Sequence, residues 1–178
     1  EDSVGSDRHL VTLDRIRAGG AVLLGDRHVT VTGGRFSSMF EPSLQIGANS
    51  RVTGADLGCV ETPCLSARGS SLIRGCTFLD VSNGGAPAVS IWGDATIFEG
   101  NIFEDWISIS GNDNVVARNI SERFYFEIAG TRNVIENNIG PGIVFEDTGN
   151  FFGNNRVALP GGFSGTDGNV DWGGNVTY

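Results

Sequence analysis

The stretch that decides the fold is a six-residue unit that recurs along the chain. Residues 98–103 read Phe-Glu-Gly-Asn-Ile-Phe, and residues 135–140 read Ile-Glu-Asn-Asn-Ile-Gly. The first position of the unit is always Val, Ile or Phe, and the fourth is Asn in the last four copies. The copies begin 17–25 residues apart and occupy residues 31–36, 52–57, 73–78, 98–103, 116–121, 135–140 and 152–157.

A second element with a period of two lies between the copies. Residues 89–93 read Val-Ser-Ile-Trp-Gly, and residues 107–111 read Ile-Ser-Ile-Ser-Gly. Apolar residues that alternate with polar ones are typical of a strand with one buried face, and the Gly marks a turn. Each repeat therefore provides two or three short strands and leaves no room for a long helix.

Repeats of this length predict a coil whose turns stack in parallel, because one turn cannot bury its apolar face alone. We expect Asn101, Asn119, Asn138 and Asn155 to point inward and to hydrogen-bond to one another and to turn backbone. Cys76 holds the same position in an earlier copy, which predicts a buried packing residue. The predicted fold is all-β, a single-stranded parallel β-helix of about seven turns.

The two ends of the chain are less regular than the repeats. We expect the coil to span residues 20–158, between an N-terminal cap over residues 1–19 and a Gly-rich C-terminal cap over residues 159–178. Within the N-terminal cap, residues 7–17 fit either a short helix or an irregular first strand. A solenoid needs its open ends covered, so we expect the C-terminal segment to be an ordered cap or a partner contact.

The units at 98–103 and 135–140, with the Gly-terminated strands that follow, resemble the right-handed parallel β-helix repeats of the pectate-lyase-like superfamily. They are most similar to the Asn-rich repeats of NosD-like domains and of carbohydrate-binding and sugar-hydrolase domains. This resemblance covers roughly residues 20–158 and implies a right-handed coil. It leaves the function open, because lyases, hydrolases, epimerases, tailspikes, adhesins and binding proteins share this architecture.

Composition and charge exclude several classes of partner. The formal net charge is −9, and all 12 basic residues are Arg. A chain this acidic lacks the phosphate-neutralising surface of a nucleic-acid-binding protein. It has no apolar run of about 18 residues, so we expect no membrane span. Its two His residues are too few for a His-rich metal site, and we expect no metal and no cofactor.

The three cysteines leave the redox compartment open. Cys59 and Cys64 are five residues apart around a Pro and could close a small disulfide loop, which would leave Cys76 unpaired. The spacing alone does not decide whether that disulfide forms.

Stacking the repeats predicts three outward columns on one strand face. Trp92, Trp106 and Tyr125 fall on these columns and would form an aromatic patch for sugar rings, with Arg68 beside it as a further substrate-binding residue. Alternatively, these aromatic residues pack under a loop or mark a subunit interface. The three columns read Cys64, Ala88, Trp106, Tyr125 and Gly142; Ser66, Ser90, Ser108, Glu127 and Val144; Arg68, Trp92, Ser110, Ala129 and Glu146.

Glu127 and Glu146 are the candidates for acid/base catalysis. They fall one turn apart on adjacent columns, which allows the separation of about 5–10 Å that glycosidases use. The alternative is that both are solvated residues of the strand face. The segment 165–171, Gly-Thr-Asp-Gly-Asn-Val-Asp, loosely resembles a calcium-binding turn, and a plain Gly/Asp turn explains it more simply.

These observations predict an extracytoplasmic module that binds, or processes, a polysaccharide. We expect it to be secreted or to lie at the cell surface or in the periplasm. The alternative is a structural or interaction module without catalytic activity, such as a spike, an adhesin or an assembly component, in which copies of the chain form a homo-oligomer.

Overall fold

The computed structural model of the chain is a parallel β-solenoid of about eight turns, one more than the sequence predicted. It describes residues 10–24, 28–39, 41–60, 62–80 and 86–178, and among these every helix or strand is a β-strand. The all-β parallel fold predicted from the repeats is therefore confirmed. Each turn contributes strands to three faces, named A, B and C.

Face A is a sheet of nine parallel strands. They are β1 (Leu10–Asp14), β4 (His28–Thr32), β7 (Arg51–Thr53), β10 (Leu72–Arg74), β13 (Ile97–Glu99), β16 (Val115–Ala117), β19 (Val134–Glu136), β21 (Phe151–Gly153) and β23 (Val170–Asp171).

Faces B and C belong to one larger sheet, because β20 and β22 run across both. Face B contains β2 (Arg17–Gly19), β5 (Arg35–Ser38), β8 (Asp56–Cys59), β11 (Thr77–Asp80), β14 (Ile102–Phe103), β17 (Ile120–Ser121), β20 (Ile139–Phe145), β22 (Arg156–Ser164) and β24 (Val176–Thr177). Face C contains β3 (Val22–Leu23), β6 (Leu44–Ile46), β9 (Leu65–Arg68), β12 (Val89–Trp92), β15 (Ile107–Ser110) and β18 (Phe126–Ala129), followed by the later residues of β20 and β22.

The core is the inside of the coil, where the apolar positions of the repeat meet. Phe78, Phe98, Phe103 and Phe126 are fully buried, and the rings of successive members lie 5.1–6.2 Å apart between centroids. Because each turn supplies the same inward positions, the core is continuous along the axis, as a solenoid requires.

The predicted Asn column is confirmed as a buried ladder at the corner between faces A and B. Asn119 donates from Nδ2 to the carbonyl of Phe98 at 2.9 Å and to Oδ1 of Asn138 at 3.0 Å. Its own Oδ1 accepts the backbone N–H of Asn101 at 3.0 Å. The same pattern continues through Asn155 to Asn175, one rung beyond the predicted column. Each amide therefore hydrogen-bonds to backbone groups at the turn, which have no partner in a neighbouring strand.

A second ladder, which the sequence analysis missed, lies at the corner between faces C and A. In each rung a backbone N–H donates to a side-chain oxygen of the next turn, for example Thr96 to Asn114 Oδ1 at 2.8 Å and Asn114 to Asn133 Oδ1 at 2.9 Å. The column begins with hydroxyls and ends with amides: Ser50, Ser71, Thr96, Asn114, Asn133, Asn150 and Asn169.

Glycine is required where face C ends, because successive turns approach closely there. Gly111 and Gly130 have φ of 141° and 98°, and a Cβ on Gly130 would lie 2.1 Å from the carbonyl oxygen of Gly111. Such a contact is impossible for any residue with a side chain, so only Gly fits at these two positions.

The chain ends and the cysteines complete the fold. Of the two alternatives for residues 7–17, the described part forms a strand, β1, which pairs with β4; residues 1–9 lie outside the described residues. At the other end, β22, β23 and β24 pair with the preceding turn, so the coil continues through residues 159–178. Cys59 and Cys64 form the disulfide that their spacing had left open. Cys76 is free, and it is buried as predicted.

Candidate functional site

A column of polar side chains runs along face C and forms the floor of the candidate site. Ser66, Ser90, Ser108 and Glu127 lie opposite one another on β9, β12, β15 and β18, in the predicted register. Gln45 on β6 adds a rung before Ser66. We call these five residues the polar column. The neighbouring strand positions are apolar and buried, so the alternation of the strands places these polar groups on the outer side, where Ser90 is nevertheless only 5% exposed.

Trp106 and Tyr125 lie at one edge of the polar column, each just before a face C strand. The two rings stack, with centroids 5.9 Å apart and planes 27° apart. Tyr125 keeps 37% of its surface exposed, while Trp106 is half-buried. These two residues were predicted to lie side by side on adjacent turns, and in the structure their rings stack.

Acidic groups surround the phenol of Tyr125. Burial, and then the negative charges of Glu127, Glu146 and Asp105, raise its pKa. Asp105 is buried and accepts the backbone N–H of Trp106 at 2.7 Å, and Ser108 donates its hydroxyl to Glu127 Oε1 at 3.4 Å. Tyr125 therefore stays protonated at neutral pH and can donate a hydrogen bond.

Trp92 and Arg68 lie at the opposite edge of the polar column. They face each other across β12 and β9, and with Gln45, Ile46 and Ser66 they line a cavity of about 410 Å³. Trp92 is 62% exposed. An exposed indole beside a guanidinium, a carboxamide and a hydroxyl offers one apolar surface and several hydrogen-bonding groups.

The three aromatic residues do not form the single patch that the sequence analysis expected. Trp92 lies opposite Ser110 at the end of β15, and Trp106 precedes the start of that strand. Four residues of strand separate these positions, which is about 13 Å along the strand direction. The aromatic groups instead flank the polar column, with Trp92 on one side and Trp106 with Tyr125 on the other.

The outward assignment of the first predicted column is wrong at Cys64, Ala88 and Gly142, which are buried. These positions lie just before β9 and β12 and within β20, where the chain turns at the corner between faces B and C. A small side chain fits inside this corner, whereas the rings at 106 and 125 are too large and lie at the surface. The buried residues of this column therefore differ from the two aromatic residues in side-chain size and not in their register along the strands.

The two candidate catalytic carboxylates lie on the same face in neighbouring turns. Glu127 is half-buried on β18, whereas Glu146 is exposed just after β20. The backbone N–H of Glu146 donates to the carbonyl of Ile128 at 2.9 Å, which keeps it in register with β18. Their role in catalysis stays a prediction.

Within the described residues, no group of three or more His, Cys, Asp or Glu side chains is placed to hold a metal ion. In the segment 165–171, Asn169 donates from its backbone to Thr166 O at 3.0 Å and from Nδ2 to Gly165 O at 2.7 Å. Residues 165–169 are the turn between β22 and β23, and residues 170–171 are β23 itself.

The structure also shows a charged cluster on face A that sequence reasoning did not find. Glu99 accepts hydrogen bonds from Arg74 on one side and from Arg118 on the other, and these bonds lower its pKa. The signal in the sequence is a charged residue at the second or third position of three successive repeats, and it can be recognised only once the register is known.

Comparison with family models, with curated proteins and with solved structures gives no match for this chain. No helix that could cross a bilayer occurs among the described residues.

Proposed function

We propose that the chain is a polysaccharide-binding module whose site is face C. The observation that carries this proposal is the polar column with aromatic side chains along both of its edges. A column that crosses successive turns runs parallel to the solenoid axis, so an extended chain ligand would follow it from Gln45 to Glu127. Sites of this kind combine apolar surface with a few fixed polar groups.

The chemistry of the face fits sugar units. Pyranose rings have an apolar side that packs on indole and phenol rings, and hydroxyls that match Ser, Gln and Glu side chains. The acidic groups around Tyr125 disfavour an anionic sugar there, since like charges repel. We therefore assign a neutral polysaccharide to the edge formed by Trp106 and Tyr125.

The disulfide supports an extracytoplasmic location, which is secretion, the cell surface or the periplasm. Disulfides persist in oxidising compartments and are rare in the cytosol. The repeat pattern also supports a right-handed coil of the pectate-lyase-like type, because crossovers between parallel strands are right-handed in nearly all proteins.

Binding is tested with the whole chain on a glycan array, followed by titration of the strongest neutral glycan. We expect Trp106→Ala and Tyr125→Ala to weaken binding about fivefold each, the loss of roughly 1 kcal/mol of stacking. Phe151→Ala is the matched control, because Phe151 is 38% exposed but lies on face A. Unchanged affinity in the face C variants, or equal loss in the control, would remove face C as the site.

A stronger version of the proposal is that the module also cleaves the polysaccharide that it binds. It is supported by the placement of Glu127 and Glu146 on one face in neighbouring turns, the arrangement from which acid/base pairs are built. The assay is release of reducing ends from the bound glycan. Catalysis would be supported by an activity that is lost in Glu127→Gln and kept in the control Glu122→Gln, which lies on face B. A glycan that binds but is not cleaved would limit the function to binding.

A structural or interaction module is the second candidate, and exposed apolar rows on the other faces favour it. Ile102, Ile120 and Ile139 lie in register on face B, each 40–41% exposed. On face A, Phe151 and Val170 lie in register and are 38% and 50% exposed. Continuous apolar rows are typical of surfaces that another chain covers.

Sedimentation velocity separates this candidate from a free glycan-binding monomer. An oligomer at micromolar concentration that Ile120→Lys dissociates would favour assembly through face B. A monomer over the full concentration range would remove this candidate.

A further inference from the structure

Three arginines cluster near the first turns of the solenoid, away from face C. Arg17 on β2 lies directly opposite Arg35 on β5, and Arg15 lies at the corner just before β2. With Gly34 and Asp56, these three side chains line a surface cavity of about 340 Å³. Backbones of neighbouring strands are about 4.8 Å apart, so the two strand arginines hold their charges close together.

The charge at this cavity contrasts with the rest of the chain. The net charge is −9, yet three of the 12 basic residues line this one cavity. Like charges directly opposite each other on neighbouring strands destabilise a sheet unless something neutralises them. The cavity is thus a local exception in an acidic protein.

Protein carboxylates do not complete the neutralisation. Asp14 lies 3.8 Å from Arg15, but both side chains are mostly exposed. Asp56 lies opposite Arg35 in the register, yet among the described residues neither Arg17 nor Arg35 forms an ion pair. Elsewhere the structure does bridge its arginines, as at Glu99 between Arg74 and Arg118.

Backbone hydrogen bonds hold the chain in place around Arg15 and Arg35, and so fix the Cα positions from which these side chains extend. Arg15 adopts a φ of 49°, and its N–H donates to Thr32 O at 2.9 Å. Arg35 donates its N–H to Ile16 O at 2.8 Å, and a Cβ on Gly34 would lie 2.5 Å from that same oxygen. These backbone donors are already used, so a ligand here would be held by the guanidinium groups.

We propose that Arg15, Arg17 and Arg35 form a binding site for a sulfate or phosphate oxyanion, free or as an ester group. Guanidinium forks donate paired hydrogen bonds to such oxygens, which makes Arg the preferred residue for them. Sulfate and phosphate suit the site because their several oxygens can accept hydrogen bonds from more than one guanidinium at once. The site is independent of the sugar-binding face and stands even if that face binds nothing.

The proposal is tested by titrating the whole chain with sodium sulfate and sodium phosphate at constant ionic strength set with sodium chloride. The readout is the chemical shift of backbone amides in residues 15–17 and 34–36, together with calorimetry. We expect saturable binding of one or both anions. Arg35→Gln should weaken it at least fivefold, since a charge-assisted hydrogen bond is lost.

Controls keep the result specific to this cavity. Arg132→Gln removes an exposed arginine that pairs with Asp113, and it should leave anion binding unchanged. Arg35→Lys keeps the charge but loses the fork, so it should bind more weakly than the parent chain. Arg17→Gln is a second variant in case Arg35→Gln alters the fold, which far-UV circular dichroism would reveal.

Two further ligands distinguish binding of the free anion from binding of an ester group. Tighter binding of a sulfated oligosaccharide or a sugar phosphate than of the free ion would assign the site to an ester group, and equal binding would assign it to the free ion. Absence of saturation above the chloride background, or equal weakening by Arg132→Gln, would overturn the proposal.

Discussion

At the scale of single residues, the two ladders show that one position can be filled by chemically different side chains. Ser71, Thr96 and Asn114 all accept a backbone N–H of the preceding turn in the second ladder. A hydroxyl can donate one hydrogen bond, as Ser71 does to Arg68 O at 2.9 Å, whereas an amide can donate two. Asn133 donates from Nδ2 to Gly111 O and to Asn150 Oδ1, each at 3.0 Å, whereas the buried Nδ2 of Asn114 has no partner among the described residues.

This difference gives a matched pair of substitutions. Asn133→Ser should lower the free energy of unfolding by about 1–3 kcal/mol, because it removes the two hydrogen bonds that Nδ2 donates and a hydroxyl can replace at most one of them. Asn114→Ser should cost at least about 1 kcal/mol less, because serine keeps the acceptor and the lost donor made no bond. Urea unfolding of both variants measures the difference, and equal losses would contradict the assignment of the second ladder.

Cys76 supplies a prediction about reactivity. Its burial raises the pKa of the thiol to about 11, and the thiolate is the reactive form. We expect negligible modification by a thiol reagent in the native protein at pH 8, and complete modification after unfolding in urea. Fast labelling of the native protein would show that Cys76 lies outside the core.

At the scale of strands, face A is bound together partly by the ion cluster at Glu99. The pKa of Glu99 is lowered chiefly by the hydrogen bond from Arg118 and then by the one from Arg74. A carboxyl whose pKa is lower in the folded protein stabilises the fold above its unfolded pKa, and that contribution is lost as the pH falls through the folded value.

The stability of the chain should therefore fall more steeply below pH 4.5 than that of Glu99→Gln. Exposed arginines on both sides keep the effect small. The measurement is the free energy of unfolding between pH 3 and pH 7. Glu122→Gln, which removes an exposed carboxyl with no ion pair among the described residues, should follow the parent chain; parallel curves for all three proteins would refute the prediction.

The strands also show why some features could be predicted from the sequence and others could not. The apolar alternation and the repeated Asn at 101, 119, 138 and 155 specify the coil, its register and the first ladder, because one residue type recurs at one spacing. The second ladder begins with Ser and Thr, but its four Asn at 114, 133, 150 and 169 recur at the spacing of the first ladder. The first three of these Asn precede copies of the six-residue unit and all four lie outside it, so a repeat defined by that unit does not include them. The orientation of Cys64 and Ala88 depended on corner geometry, which strand periodicity does not contain.

At the scale of the whole molecule, burial is uneven along the axis. Residues 10–24 contain no fully buried side chain, whereas the turns that carry β13 to β19 contain Phe98, Phe103 and Phe126 and both Asn ladders. In a solenoid each turn is stabilised only by its neighbours, so local stability follows local burial.

Hydrogen exchange should reveal this gradient. We expect amides of β15, β16, β18 and β19 to exchange last, at rates set by global unfolding, and amides of β1 and β2 to exchange first through local opening. Mass spectrometry of peptic fragments resolves the two regions. Equal protection throughout would show that the solenoid unfolds as a single unit.

The first Asn ladder also has a consequence for how the molecule tolerates changes in length. From Asn101 to Asn155 each rung presents the same amide to both neighbouring turns, so a repeat of 17–19 residues inserted or deleted whole leaves no mismatched contact within this ladder. Each such change would lengthen or shorten face C by about 4.8 Å while leaving its cross-section intact. The number of turns therefore sets the length of face C, and with it the length of any ligand that lies along that face.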